Sequence, residues 1–406
     1  MSFPRYSSYK DSGVEWLGDV PEHWEYVRFK NVFDEKNSIA GSLLPPGSIS
    51  FGRVIFKDAE FLHEPTKASY QEVLSGEFLI NPINLNFDLK SLRTALSEID
   101  TCVSPAYIVL KPKVVADKNY LKYQLHAFDL FHMKTLGAGV RQTITFGDIG
   151  ACFTFQPPLH EQTRIATFLD HETTKIDELV AAQRQLIELL KEKRHVVISH
   201  AVTKGLNPDF KMKDSGVAWL GLVPENWAVL QFRYMVSIQN GSDYKHIESE
   251  DGLYPVIGSG GEFKRATDYI YDGISVLLGR KGSIDKPLYI EGKFWVVDTM
   301  FYTIIKDIVI PKYVFNCAKI IPFDLLSTST ALPSMTQNDL KAVYFALPNS
   351  LKEQESITNY IDEQTSKIDV LTSEVQRAID LLQERRTSLI SAAVTGQIDV
   401  RSSYES

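Results

Sequence analysis

The sequence predicts an α+β protein made by tandem duplication. Two mixed α/β domains are each followed by a long helix, and the two helices are expected to pair along their apolar stripes; if they lie antiparallel as a coiled coil, the chain closes into an approximate twofold ring. Three observations carry this: a motif that occurs twice, a second duplicated segment of helical period, and short strand-like runs in the two intervals.

The first motif runs KDSGVEWLGDVPEHW from Lys10 to Trp24 and returns as KDSGVAWLGLVPENW from Lys213 to Trp227. Over Lys10–Lys30 and Lys213–Arg233 the copies share 13 of 21 positions, among them Gly13/Gly216, Pro21/Pro224 and Trp24/Trp227. Trp16, Trp24, Trp219 and Trp227 are expected to be packing anchors where each domain meets the helices, rather than platforms for stacking bases.

The second segment opens as PPLHEQTRIATFLD at Pro157 and as PNSLKEQESITNYID at Pro348. Steps of alternate four and three from Ile165 pass through Leu169, Ile176, Leu179, Leu186, Leu190 and Val197. In the second copy the apolar positions include Ile357, Ile361, Ile368, Leu371, Val375, Leu382 and Leu389. That is the spacing of a coiled-coil seam. No Gly or Pro interrupts either stretch, so each predicts one helix of about 40 residues, roughly 60 Å long. The polar positions Glu172, Gln183 and Lys193 fit either helix register or contact with other subunits.

The intervals have another texture. Runs such as EFLINPI, CVSPAYIVL and ACFTFQP in the first, and ISVLLGR, KPLYIEGKFWVV and TMFYTII in the second, are broken by Gly and Pro and read as strands. NYLKYQLHAFDLFHMK and PKYVFNCAKII read as helices. Both intervals look like one fold carrying different surfaces. The expected organisation is a domain over 1–156, a helix over 157–206, a domain over 207–346, and a helix with its tail over 347–406.

Composition sets the class. In 406 residues, 44% hydrophobic and 23% charged, there is core enough for two or three globular domains. No apolar run spans a bilayer and the N-terminus lacks a signal-peptide pattern, so a cytoplasmic location is expected. Cys102, Cys152 and Cys317 are scattered and odd in number, which disfavours a disulfide framework. The net charge of -8 disfavours nonspecific nucleic-acid binding, but the acidic excess lies at the end of the chain: 6 Lys+Arg against 10 Asp+Glu over 347–406.

Catalytic constellations are missing. NPIN at Asn81 lacks the second Pro and the aromatic of an amino-methylating motif. VIGSGGEFKR and LLGRKGSID lack phosphate-loop spacing, and PDFKMKD lacks the Glu-x-Lys of a metal-dependent nuclease. The His residues do not fall at metal-ligand spacing, so no metal site is expected. The reading is a binder; the alternative is a self-contained adenine methyltransferase or nuclease with duplicated sites.

YKDSGVEWLGDVPEHW and its copy, the two helix openings, TKIDELV and SKIDVL, and the closing LISAAVTGQIDV together resemble the specificity subunit of type I restriction-modification systems. The resemblance implies two target recognition domains, each reading half of a bipartite asymmetric sequence in double-stranded DNA, with helices that set the unread gap. It implies a non-catalytic subunit that docks two methyltransferase (modification) subunits. Restriction subunits join the full complex. The expected cofactors S-adenosylmethionine, ATP and Mg belong to those partners. For base contacts the candidates are Arg280, Lys281 and Ser283 in a Gly-flanked loop, where Arg can fork onto guanine, with Arg265 beside Lys264 in a loop. In the first domain they are Arg141, Gln142 and Thr143, with Arg93 and Asn86 behind them.

Overall fold

A computed structural model describes residues 3–38, 43–50, 52–58, 66, 68–83, 92–137, 143–326 and 333–402. The chain divides into two compact units: Met1–Gln183 with Ala378–Ser406, and Arg184–Arg377. The divisions fall inside the two long helices, Leu159–Lys204 and Leu351–Val394.

In the first unit the duplicated motif folds as a small hairpin, Tyr9–Asp11 antiparallel to Asp19–Pro21. Its letters have local causes. The Asp11 carboxylate accepts from the Gly13 N–H at 2.8 Å, and Gly13 holds φ 65°, where a side chain is strained. Lys10 Nζ donates to the carbonyls of Glu22 and Trp24 at 2.8 and 2.6 Å. Strand Glu25–Arg28 then pairs antiparallel with Phe153–Gln156, joining the two ends of the domain just before the long helix begins. Between them lies a six-stranded sheet in the order Phe33–Glu35, Ile108–Pro112, Phe78–Ile80, Thr94–Leu96, Arg53–Phe56, Gly47–Ser50. Helix Lys118–Phe131 is capped by Asp117, which accepts from the N–H groups of Asn119 and Tyr120. One core holds Trp24, Phe29, Phe33, Phe78 and Phe128 together with Ile165 and Leu169 of the first long helix and Ile390 of the second.

The second unit repeats this frame. Met212–Asp214 pairs with Leu222–Pro224, and Ala228–Gln231 with Tyr344–Leu347. Lys213 Nζ donates to the carbonyls of Glu225 and Trp227, both at 2.8 Å. The interior differs. Here two four-stranded sheets form: Val236–Asn240, Met300–Ile305, Ser275–Gly279, Leu288–Ile290; and Gly261–Ala266, Tyr254–Gly258, Lys293–Val296, Tyr271–Asp272. The expectation of one fold with two surfaces is therefore corrected: among the described residues the frames match and the interior sheets do not. The core of this unit joins Trp227, Phe232, Phe301 and Tyr313 to Ile198, Val202, Ile357 and Ile361.

Within each unit the helix segments run antiparallel. In the first, Arg386 Nε bonds Asp177 at 3.0 Å, and the Arg164 guanidinium donates to the carbonyl of Arg401. In the second, Arg194 bonds Asp369, while Ile198 and Val202 share a core with Ile357 and Ile361.

The apolar walk holds at most of its positions and departs from the structure at three leucines. Ile165, Leu169, Ile176, Leu190, Ile357, Ile361, Ile368 and Leu389 are buried, and Val197, Val375 and Leu382 are partly so. Leu179, Leu186 and Leu371 are exposed, at 51%, 40% and 47%. The buried positions between the shared ones are Thr173, Val180, Thr365 and Ile379. Two of these four are threonine. Its hydroxyl is satisfied by the carbonyl one turn back, as Thr173 Oγ1 on Leu169 at 2.6 Å and Thr365 Oγ1 on Ile361 at 2.8 Å, so a residue that reads as polar can line a seam.

Candidate nucleic-acid interface

Strand Ser275–Gly279 is buried along its whole length and ends in the loop that carries Arg280, Lys281 and Ser283. The turn is tight: a Cβ on Gly279 would stand 2.6 Å from both Ile284 Cα and Ser283 O. Backbone bonds fix the loop from two sides. Arg280 and Lys281 N–H donate to the Thr299 carbonyl at 2.9 and 3.2 Å, Gly282 N–H to Pro333 at 3.0 Å, and Met335 N–H to Arg280 at 3.0 Å. All three candidate side chains are exposed. Arg280 lies over the Phe301 ring at 6.0 Å and places one N–H on the Asp298 carbonyl at 3.3 Å. Among the described residues the Lys281 ammonium and the Ser283 hydroxyl have no side-chain hydrogen bond. A rigid backbone presenting a fork, a cation and a hydroxyl to solvent has the donors needed for base edges and phosphates.

Arg265 sits elsewhere than expected: on strand Gly261–Ala266, not in a loop. Its Nε pairs with Glu262 at 3.1 Å and its NH1 reaches the Leu253 carbonyl at 3.1 Å, while Lys264 pairs with Glu248 at 2.7 Å. Hydrogen bonding to Glu248 pushes the Lys264 ammonium above its usual range. Each of the two cations on this strand is thus paired with a carboxylate, which weakens it as a phosphate surface.

In the first unit Asn86, Arg141 and Gln142 lie outside the described residues. Thr143 is exposed, next to Ile144, whose N–H donates to the Pro82 carbonyl at 3.2 Å. Arg93 serves the fold: its NH1 donates to the Ile83 carbonyl and its backbone N–H to Asp129, both at 2.6 Å. Beside it His126 and Asp129 stand one turn apart on helix Lys118–Phe131, both buried. Burial, then Arg386 and Lys122, lower the His126 pKa to about 3, and burial raises that of Asp129 to about 6.

The tryptophans of the motif are placed at the junctions. Trp24 and Trp227, each 1% exposed, donate their indole N–H to Glu161 and Glu353 at 3.1 and 3.0 Å. Trp16 packs on Phe128 at 5.8 Å and Trp219 on Phe345 at 5.8 Å.

Two sets of residues escaped sequence reasoning. Gln162 accepts from the Asp117 N–H at 3.0 Å and donates to the Pro157 carbonyl at 2.9 Å, and Gln354 accepts from Ile310 at 3.0 Å and donates to Pro348 at 3.1 Å. Each glutamine thus clamps the start of its domain's inner helix to the long helix. Thr145 with Asp148, and Thr336 with Asp339, form capping boxes ahead of the closing strands. The signal was available as Thr-x-x-Asp at matching positions.

Among the described residues no cluster of His, Cys, Asp or Glu could hold a metal ion, and no helix is long and apolar enough to cross a membrane.

Comparison with known proteins places these features. Residues 224–379 match a family model described as the type I restriction modification DNA specificity domain, and that span includes the Arg280–Ser283 loop. The type I restriction enzyme MjaVIII specificity subunit of Methanocaldococcus jannaschii is 25% identical over 241 residues, 58% of this chain and 54% of that subunit. The match thus spans about half the length of the curated relative. A chain from a structure on complex assembly and conformational transition of the type I R-M system superimposes with a TM-score of 0.69, covering 92% of this chain and 98% of that one at 14% identity, a likeness of fold. The HsdS subunit from Thermoanaerobacter tengcongensis gives a TM-score of 0.49 at 14% identity, covering 93% of this chain and 98% of that one. Residues 224–379 thus match a type I restriction modification DNA specificity domain, and the chain as a whole is similar to a type I specificity subunit in sequence and to a type I R-M chain in fold.

Proposed function

We propose that the chain is the DNA sequence-recognition subunit of a type I restriction-modification complex. The match of residues 224–379 to a DNA specificity domain carries the reading. Each domain reads one half of a bipartite target in double-stranded DNA. Arg280, Lys281 and Ser283 contribute in the second domain and Thr143 with its neighbours in the first. Half-sites one turn of DNA apart are about 34 Å centre to centre, and a pair of long antiparallel helices is a separator of that scale. The ring-like twofold arrangement of two recognition domains belongs to this proposal.

Catalysis lies with the partners. Two modification subunits dock on the helices and take S-adenosylmethionine to methylate adenine, flipping the base out of the stack. Restriction subunits use ATP and Mg. The chain itself transfers no methyl group, cuts no DNA and works in the cytoplasm.

The test is to express the chain with its modification partner and map N6-methyladenine across the DNA of the host. A bipartite motif is expected, and exchanging residues 234–346 for those of another specificity subunit changes one half only. An unchanged motif after the exchange, or methyl transfer by the purified chain alone, overturns the reading.

A further inference from the structure

The two long helices open with matching residues in different surroundings. In the first unit, on the face Glu161, Arg164, Phe168, the two outer residues are buried and Arg164 is exposed. Glu161 is 1% exposed and accepts from the Tyr6 hydroxyl at 2.5 Å and the Trp24 indole at 3.1 Å, with His23 Nε2 at 2.8 Å. Phe3 packs edge-on against Phe168 at 5.3 Å. The Arg401 guanidinium lies over the Tyr6 ring at 4.7 Å, and Arg164 donates to the Arg401 carbonyl. Two chain segments, one near each terminus, thus pack on this face.

In the second unit the corresponding face is Glu353, Ser356, Tyr360. Glu353 keeps the tryptophan bond, from Trp227 at 3.0 Å, and among the described residues makes no other side-chain hydrogen bond. Asn226 stands at the position of His23, and its carbonyl is taken by Asn349. A single connector over 205–211 runs where the first unit has two separate segments. One strand of chain cannot fill the place of two. What remains is a cleft of about 420 Å³, lined by Leu206, Phe210, Lys352, Glu353, Ser356 and Ile357. Tyr360, one turn further on, is 39% exposed where Phe168 is buried.

We propose that this cleft is a docking slot for a partner polypeptide that inserts a tyrosine, its phenol donating to Glu353 as Tyr6 donates to Glu161. The duplication supplies the occupant: in the other copy of the junction the same carboxylate is met by a phenol on an extended segment. The chemistry agrees. A phenol O–H on a carboxylate is a short, charge-assisted bond, and Leu206, Phe210 and Ile357 give the ring an apolar bed. The volume is that of a site for one large side chain and its neighbours. The proposal is independent of how the chain reads DNA.

The probe is a fluorescein-labelled peptide with the sequence of residues 2–11, SFPRYSSYKD, titrated against the full chain by anisotropy. Saturable binding is expected. Replacing the tyrosine that corresponds to Tyr6 by phenylalanine, or Glu353→Gln in the chain, weakens it about tenfold or more. Ser356→Trp fills the cleft and abolishes binding, with unchanged circular dichroism as the check on folding. No saturable binding, or equal binding by wild type and Ser356→Trp, overturns the proposal. So does self-association of the full chain that Glu353→Gln removes, since the occupant would then be a second copy.

Discussion

The indole N–H of Trp24 meets the buried carboxylate of Glu161 at 3.1 Å, and that one carboxylate also holds the phenol of Tyr6 and the ring nitrogen of His23. The junction of domain and helix in the first unit is a charged acceptor surrounded by donors. Burial, with the hydrogen bond to Glu161, pushes the Tyr6 phenol far above its usual pKa, so it stays a donor at every physiological pH.

Removing that acceptor strands two buried donors. Glu161→Ala is expected to cost about 2–6 kcal/mol, at about 1–3 kcal/mol for each unsatisfied group. Glu353→Ala strands the Trp227 indole beside an open cleft, where water can replace the lost acceptor, and costs less. Thermal unfolding of the two variants checks this. Equal losses would mean that the two carboxylates are structurally equivalent.

The pair His126 and Asp129 makes stability depend on pH in opposing directions. The folded pKa of His126, about 3, lies below its unfolded value, so the unfolded chain binds the proton first and stability falls as pH drops below about 6.5. At pH 5 this amounts to about 2 kcal/mol, at 1.36 kcal/mol per pKa unit. The folded pKa of Asp129, about 6, lies above its unfolded value, so its contribution is largest in acid and is lost as pH rises through about 6. His126→Gln should therefore flatten the acid limb, and Asp129→Asn should steepen it. Denaturant midpoints at pH 7 and pH 5 give the comparison, and limbs unchanged in both variants would rule out this account.

Arg280 and Lys281 are predicted to fail differently. Arg280→Ala should lose about 1–3 kcal/mol of discrimination at one base pair, relaxing the target there. Lys281→Ala should weaken binding about equally on all sequences and reduce the slope of log K against log salt by about 0.9. Binding of the subunit in complex with its modification partner, measured over a salt series on the target and on single-base variants, separates the two. A uniform loss from Arg280→Ala would remove it from base reading.

The departure at Leu179 is testable on adjacent residues. Leu179→Ser changes an exposed side chain and should leave stability within about 0.5 kcal/mol, whereas Val180→Ser, at a position 8% exposed, should cost about 2 kcal/mol. The reverse order in denaturation would restore the apolar walk.

The sequence by itself determined the elements that rest on local rules. Duplicated motif letters specify the hairpins, since Asp11, Gly13 and Lys10 act on atoms within fifteen residues of themselves. Uninterrupted helical period places helices at Leu159–Lys204 and Leu351–Val394, and the Gly-flanked run after a buried strand places the Arg280 loop. Tertiary structure decided what depends on partners far along the chain. That Thr173 and Thr365 are buried among the apolar positions could not be read from polarity, since each hydroxyl bonds a carbonyl of its own helix. The Arg93 backbone is held by Asp129, 36 residues away, and its guanidinium by the Ile83 carbonyl. The difference between Glu161 and Glu353, identical in their repeat, turned on whether two chain segments or one connector covers them. Identical letters fix identical local bonds; packing space is set by whatever else reaches the same place.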